Sequence, residues 1–515
     1  MGLKWSAPKA GAASWLTVVL VAWAFFGADH DLLAISSSKG LSLSLFVLSV
    51  IWTSVFLYNV VDRMGGINVI SSTMTRAIHD PLAQALVVGW AFSGFMQGVA
   101  GFGVPVAVVA PLLVLMGFRP VKAAAIVLVG HAWAVTFGSL GSSYYTIQLV
   151  TGIEGEVIGP HMASLFALPI ILTGLAVAHI QGGLSAVRRG APGVLVIGGA
   201  MALSVWATAS AGIPQLASII PGLVGVGVGL LVARTPLLGR STEQAEDVPP
   251  ASPGGGNGDP VAGPSPAKGV LTSFHMAFLP YYLVILLSIV AQIPAIKSAT
   301  ANLLWGLDYP ALLTSLGFQV EAVENYAKIR LFRHPAPVIL SSVAIAYLIY
   351  RLAESWEPGT LKSAARTTYA QTISTGVGIG TMVMMAVIMT DTGMTALLGR
   401  AIAAGTGPAF AVFSPYIGVL GTFMTGSNTN SNVMFGALQV ESANALGIST
   451  VTIASIQSIG GSLGSAIAPA KVLVGTTIVG LSGRENEVLR RTIPYCLGIV
   501  LAVGIQAWLV IQFFD

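Results

Sequence analysis

Charge is what this sequence has least of. Asp, Glu, Lys and Arg make up 9% of its 515 residues, where soluble domains carry about 25%. A chain so poor in charge cannot clothe a water-facing surface, which excludes a freely soluble globule. The formal net charge is only +4, and the lysines and arginines fall in short groups between apolar runs. They read as membrane-orientation signals rather than a nucleic-acid footprint. Cysteine is nearly missing as well. Cys496 is the only one, which rules out an internal disulfide and any multi-cysteine metal or iron–sulfur centre. Catalytic signatures are also lacking: there is no HExxH, no P-loop, no paired carboxylates within a span and no Ser/His/Asp constellation. No enzyme activity, metal or cofactor is expected.

What the sequence has is apolar length. Hydrophobic residues make up 54% of it and the mean hydropathy is +0.82. Runs near the length needed to cross a bilayer recur from 11–28 and 41–61 through to 451–468 and 493–513. The expectation is an all-α polytopic membrane protein with about 12 to 14 spans, the shorter runs forming half-helices or re-entrant hairpins. The first run follows Lys4 and Lys9 without a small-x-small cleavage site, so it reads as a retained helix. Residues 236–268 are dominated by Pro, Gly and Ser and can bury no core. They predict a flexible linker dividing a first membrane half (1–235) from a second (269–515). A second polar segment, 297–334, carries Glu321, Glu324, Lys328, Arg330 and Arg333 and predicts a loop with a short surface helix.

The two halves repeat each other. The first has Asp62, Gly65-Gly66, Pro81, Phe95-Met96-Gln97-Gly98 and Gly138-Ser139-Leu140-Gly141-Ser142. The second has Asp391, Gly393, Pro408, Phe423-Met424-Thr425-Gly426 and Gly461-Ser462-Leu463-Gly464-Ser465. Five landmarks in one order indicate an internal duplication, with repeat cores at about 41–150 and 369–481. Positive-inside counting puts Arg63, Arg76, Arg188-Arg189, Arg234, Arg240, Arg351, Lys362 and Arg366 in the cytoplasm. Asp62 then lies inside and Asp391 outside, so the copies are expected to be inverted, as in secondary transporters. Segments 67–78 and 394–404 predict short amphipathic helices, either lying in the interface or opening a short span.

The polar chemistry concentrates at two helix breaks. In the second half, Ser427-Asn428-Thr429-Asn430-Ser431-Asn432 stands between apolar runs. Within lipid, unwound polar backbone is tolerated only around a cavity or a bound solute; the alternative is an Asn/Ser turn outside the membrane. Its first-half counterpart, 97–105, has Gly98, Gly101 and Gly103 with Pro105 positioned for a first helical turn. That favours an anion at the free N–H groups, the alternative being a glycine-rich packing seam. His131 and Lys471 are ionisable groups within apolar sequence. His131 is either functional or a satisfied packing histidine. Lys471 either pairs with an anionic solute, stands in for a coupling cation, or snorkels from a span end. Tyr144 and Tyr145 line the same cavity or belong to an interfacial belt.

At these residues the chain resembles the L-lactate permease family. Phe56-Leu57-Tyr58-Asn59-Val60, 98–105 and Phe137-Gly138-Ser139-Leu140-Gly141 are similar to its first half. Residues 425–432, Phe435-Gly436-Ala437-Leu438-Gln439 and Gly480-Leu481-Ser482-Gly483-Arg484-Glu485 are similar to its second. The resemblance implies a multi-pass protein of the bacterial inner membrane that imports lactate, glycolate or a similar 2-hydroxymonocarboxylate by H⁺ symport. The wider superfamily binds carboxylate and cation at Ser-Asn-Thr hairpin tips, which Ser427-Asn428-Thr429 resembles, and moves by an elevator mechanism. The substrate contacts implied are Gly101, Phe102, Gly103, Ser139, Ser142, Ser427, Asn428, Thr429, Asn430, Ser431, Asn432 and Lys471, with His131 and Lys471 in proton coupling. Two positions depart from the family: His131 stands where it usually has Asn, and Lys471 where it usually has Gln. The rival expectations are Na⁺-coupled transport of a sulfonate or dicarboxylate, and a passive channel or exchanger. The partners expected are the carboxylate, H⁺ or Na⁺, the lipid bilayer and no nucleic acid, with a homodimer left open.

Overall fold

A computed structural model describes residues 7–514 apart from 76, 77, 79, 102, 239–270 and 272. Phe102, Arg76, Arg240 and most of the expected 236–268 linker lie outside the described residues. In hydrocarbon a spanning segment must satisfy its own backbone N–H and C=O groups, so long apolar runs become helices. Ten helices among the described residues are long and apolar enough to cross, or eleven if one bent pair counts as a span. That is fewer than the sequence suggested, because neighbouring runs join. Pro8–Phe25 carries exposed Leu16, Leu20 and Trp23, and Glu485–Phe513 carries exposed Leu501, Ile505 and Trp508. These faces suit lipid. The 56-residue stretch Gly155–Ser210 counts once, although as one rod it would be about 84 Å long against a core of about 30 Å. It breaks at Gly182 and Gly183, the latter with φ +66°.

The element order is the same in both halves. His30–Arg63, Gly66–Thr75, Pro81–Val99 and Val104–Leu115 are matched by Thr360–Asp391, Met394–Thr406, Phe410–Thr425 and Asn428–Leu446. Each set is a long helix ending near its landmark aspartate, a short helix, and a hairpin broken at its tip. The two long helices pack side by side and run antiparallel. Lys39 meets Asp391 at one end, Asn59 Nδ2 donates to Thr368 (2.9 Å) further along, and Arg63 donates to Thr367 (2.6 Å) at the other end.

One segment is not helical. Residues 297–334 do not form the expected loop with a surface helix. After the short helix Pro294–Ala299, strand Leu304–Tyr309 pairs antiparallel with Val323–Arg330, and Leu312–Leu313 pairs with Gln319–Val320 inside it. Aromatic and β-branched residues such as Trp305, Tyr309, Val323, Tyr326 and Ile329 favour strand here, and the left-handed Asn325 and Ala327 break the register. This β-hairpin docks on His30–Arg63. Tyr309 Oη lies 2.7 Å from Ser42 Oγ, and Lys39 Nζ stands 5.5 Å from the Tyr326 ring centroid.

Candidate functional site

The second-half hairpin turns on two residues. Gly426 takes φ +75° at the end of Phe410–Thr425, and extended Ser427 (φ −141°) caps Asn428–Leu446 through its side chain, which accepts from Asn430 N. The break is therefore narrower than the six-residue unwound cradle expected. Because Gly426 absorbs the reversal in a region open to glycine, residues 428–432 form the first helical turns. All five are buried. The first-half break is wider. Ala100 is extended, Gly103 is left-handed (φ +86°), and Pro105 sits in the first turn of Val104–Leu115. A side chain at Gly101 would overlap Ser139 Oγ, so this tip lies directly against the Gly138-Ser139-Leu140-Gly141 turn. Ser139 and Leu140 are themselves left-handed there, just after the break at which Pro120–Ala134 and Gly138–Thr151 bend by 50°.

Two elements join the tips. The first is the helix Pro469–Ile478: a Cβ on Gly103 would lie 3.4 Å from Val474, and one on Gly426 would lie 3.2 Å from Ala470. The second is the chain around Thr136. Asn428 Nδ2 donates to Thr136 Oγ1 (3.1 Å), whose hydroxyl donates to the Ser458 carbonyl (2.9 Å). Asn432 Nδ2 donates to the Ser143 carbonyl and to Ser458 Oγ, both at 2.9 Å. The Ser143 and Thr429 hydroxyls are hydrogen-bonded at 2.9 Å. Ser462 Oγ donates to the Ala132 carbonyl (2.6 Å) and accepts from Thr136 N. Ser431 has another job: its hydroxyl ties the tip to the Gly418 carbonyl (2.8 Å) and accepts from Gln457. Ser142 is buried, and its carbonyl is taken by Thr146.

Lys471 lies in the first turns of Pro469–Ile478 and is buried. Among the described residues no carboxylate pairs with it. Its ammonium instead donates to Ser465 Oγ, and Ser465 Oγ is 3.4 Å from His131 Nε2. His131 Nδ1 is 2.6 Å from the Val127 carbonyl. A carbonyl only accepts, so Nδ1 carries the proton and Nε2 is the acceptor for the Ser465 hydroxyl. The direction of the chain is fixed: Lys471 ammonium to Ser465, Ser465 to His131. The two ionisable residues singled out in the sequence are brought together by a third it did not single out.

Thr136, Ser143, Ser458, Ser462, Ser465 and Gln97 are the polar residues of this centre that sequence reasoning left out of its site. A signal existed for three of them. Ser455, Ser458, Ser462 and Ser465 recur at intervals of three and four, one face of a helix, and the first three belong to the buried helix Thr450–Gly464. Gly460 and Gly418 let that helix press onto Phe410–Thr425, since a side chain on either would overlap a carbonyl of the other helix. Gly460→Ala is expected to destabilise the protein by about 1–3 kcal/mol, read as a lower Tm in detergent. Gly227→Ala, which faces open space, leaves Tm unchanged or raises it.

Two tip-broken hairpins meeting a buried polar centre, inside a bundle with apolar outer faces, define a multi-pass membrane transport protein. The sequence profile of the L-lactate permease family matches residues 1–514, and the chain belongs to that family. For this family the location is the bacterial inner membrane. The chain is 27% identical over 511 residues to the glycolate permease GlcA of Escherichia coli K12, covering 96% of this chain and 90% of that protein. It is 29% identical over 513 residues to the L-lactate permease of Salmonella typhimurium, with the same coverage, and 28% identical over 527 residues to that of Bacillus subtilis, covering 97% and 91%. Among solved structures, the Alcanivorax borkumensis YdaH transporter aligns with a TM-score of 0.52 at 15% identity, over 99% of this chain and 98% of that one. Neisseria gonorrhoeae MtrF aligns with 0.52 at 13%, over 99% and 96%. These two likenesses concern the fold.

Proposed function

We propose that this chain is a secondary active transporter importing lactate, glycolate or a similar small 2-hydroxymonocarboxylate by H⁺ symport. The observation that carries the reading is Lys471, a buried ammonium with no carboxylate partner among the described residues, hydrogen-bonded through Ser465 to the acceptor nitrogen of His131. An unpaired buried charge is costly, and a substrate carboxylate offsets that cost. The chain also supplies a coupling. While His131 is neutral, the Ser465 hydroxyl is committed to its Nε2. Once Nε2 takes a proton it can only donate, so the Ser465 hydroxyl turns to another acceptor. Two neighbouring cations then favour one anion, which a carboxylate satisfies, and by linkage the anion favours the proton. A carboxylate entering against a potential of 100 mV costs about 2.3 kcal/mol; one accompanying proton removes that term.

The antiparallel placement of the two equivalent long helices supports inverted copies, and the resemblance supports an elevator movement. A second reading, Na⁺ coupling, draws support from Asn428, Asn430 and Asn432, whose buried carboxamide oxygens have no hydrogen-bond partner among the described residues; such oxygens suit a hard cation. Uptake of labelled L-lactate into proteoliposomes under an imposed pH gradient or an imposed Na⁺ gradient separates the two. The proton reading expects accumulation with the pH gradient alone, and His131→Ala is expected to lower that accumulation and weaken its response to the imposed gradient. Accumulation driven by Na⁺ alone, with His131→Ala behaving as wild type, would establish the second reading.

A further inference from the structure

On the β-hairpin side of the bundle a cavity of about 390 Å³ opens among Tyr144, Tyr145, Glu156, Lys297, Arg330 and Arg333. Its face follows from the helices that frame it. The helix Pro335–Leu352 begins beside Arg333 and ends at Arg351. The chain that ends at Ser210 carries Arg188 and Arg189 near its earlier break. The cavity is thus at the opposite end from the arginines that mark the cytoplasm, and it faces outward. Cations on that face work against the topology signal, so orientation does not explain them. Lys297 makes a loose, exposed pair with Glu156 (3.9 Å), a contact of little energetic weight. Neither Arg330 nor Arg333 has a salt-bridge partner among the described residues. Partial burial and the neighbouring Arg330 hold the Arg333 guanidinium below its ordinary pKa, Glu156 only partly opposing them. Two guanidinium groups side by side in a polar-lined cavity are a setting that an anion improves.

The floor of the cavity leads to the centre described above. Tyr145 Oη donates to Gln215 (2.9 Å) and Tyr144 Oη donates to the Gly155 carbonyl (3.0 Å). The residue just before them, Ser143, holds the Thr429 hydroxyl of the second-half tip. We propose that this cavity is an outer collecting site, in which Arg330, Arg333 and Lys297 capture a small carboxylate from outside and hold it above the Tyr144–Tyr145 floor before it enters. The proposal rests on the carboxylate reading for its substrate, but its electrostatic core does not.

The test therefore has two arms on the full-length protein. In the first, Gln148→Cys places a thiol in the cavity wall, and its modification rates by anionic sulfonatoethyl and cationic trimethylammonioethyl methanethiosulfonate are compared. Arg330→Gln with Arg333→Gln is expected to lower the anion-to-cation rate ratio by about tenfold, as loss of a focused field does; Lys297→Gln, at an exposed position that folding tolerates, lowers it less. An unchanged ratio overturns the proposal. In the second arm, L-lactate uptake by the arginine variants is expected to show KM raised about tenfold, with kcat kept and with less dependence on salt. A lowered ratio with unchanged KM overturns the collecting role. A lowered ratio in a protein that carries no lactate even as wild type leaves the outer anion site standing and removes the lactate reading instead.

Discussion

Replacing Lys471 with methionine is expected to lower kcat/KM for uptake of the proposed carboxylate by about 10- to 150-fold, the equivalent of the 1.5–3 kcal/mol that a hydrogen bond to a charged partner contributes. The direction follows from what the side chain touches. Its ammonium is buried and, among the described residues, reaches only Ser465 and pairs with no carboxylate. If its role were to brace the fold through Ser465, methionine, which matches the stem but loses that hydrogen bond, would lower Tm, and uptake would fall only in step with the folded protein. If it meets the substrate, Tm rises or holds while uptake falls. The two readouts move in opposite directions, and their combination decides. Lys471→Arg is a sharper variant. It keeps the charge but replaces a compact ammonium with a planar fork that cannot fit the same Ser465 geometry, so partial loss is expected. Unchanged uptake in Lys471→Met would sink the counter-charge role.

The largest effect on stability is expected at the other buried lysine. Lys39 and Asp391 are each less than a tenth exposed and pair at 2.9 and 3.0 Å, with Ser36 Oγ donating to the same carboxylate at 2.7 Å. Removing one partner leaves the other charge buried and alone, so Asp391→Ala is expected to cost about 3–5 kcal/mol. The double variant Lys39→Met with Asp391→Leu is expected to recover most of that loss, since an apolar pair of similar volume incurs no desolvation penalty. Thermal unfolding of the three proteins, set out as a double-mutant cycle, measures the coupling. A double variant no better than Asp391→Ala would mean that the pair serves the docked hairpin through Tyr326 rather than the two long helices.

The sequence disclosed its long-range plan more readily than its fine contacts, and the reason is physical. Lipid forces apolar runs into helices whatever surrounds them, so runs such as 335–351 and 369–390 were legible. The polar tips were legible because polar sequence within lipid needs a cause. Pairings between distant segments were not. Lys39 looks like a charge flanking the span that follows it, and nothing local reveals that it reaches Asp391. Thr136 and Ser458 look like ordinary small polar residues until two helices cross. The strands at 304–330 were missed because a charged stretch between spans reads as loop, and their pairing partners lie up to 26 residues apart, as Leu304 with Arg330 does. The extent of the 427–432 break was overestimated because one left-handed glycine does the turning that six residues were expected to share.

The β-hairpin gives this protein something that all-helical bundles lack, a folded sheet element between two of its helices. Strand edges left unpaired on its rim can accept an added strand, so an antibody fragment or a selected synthetic binder has a rigid epitope to grip. Bound there, it would supply mass and an unambiguous mark of sidedness for single-particle imaging, and in cells it would report which face of the membrane the hairpin occupies.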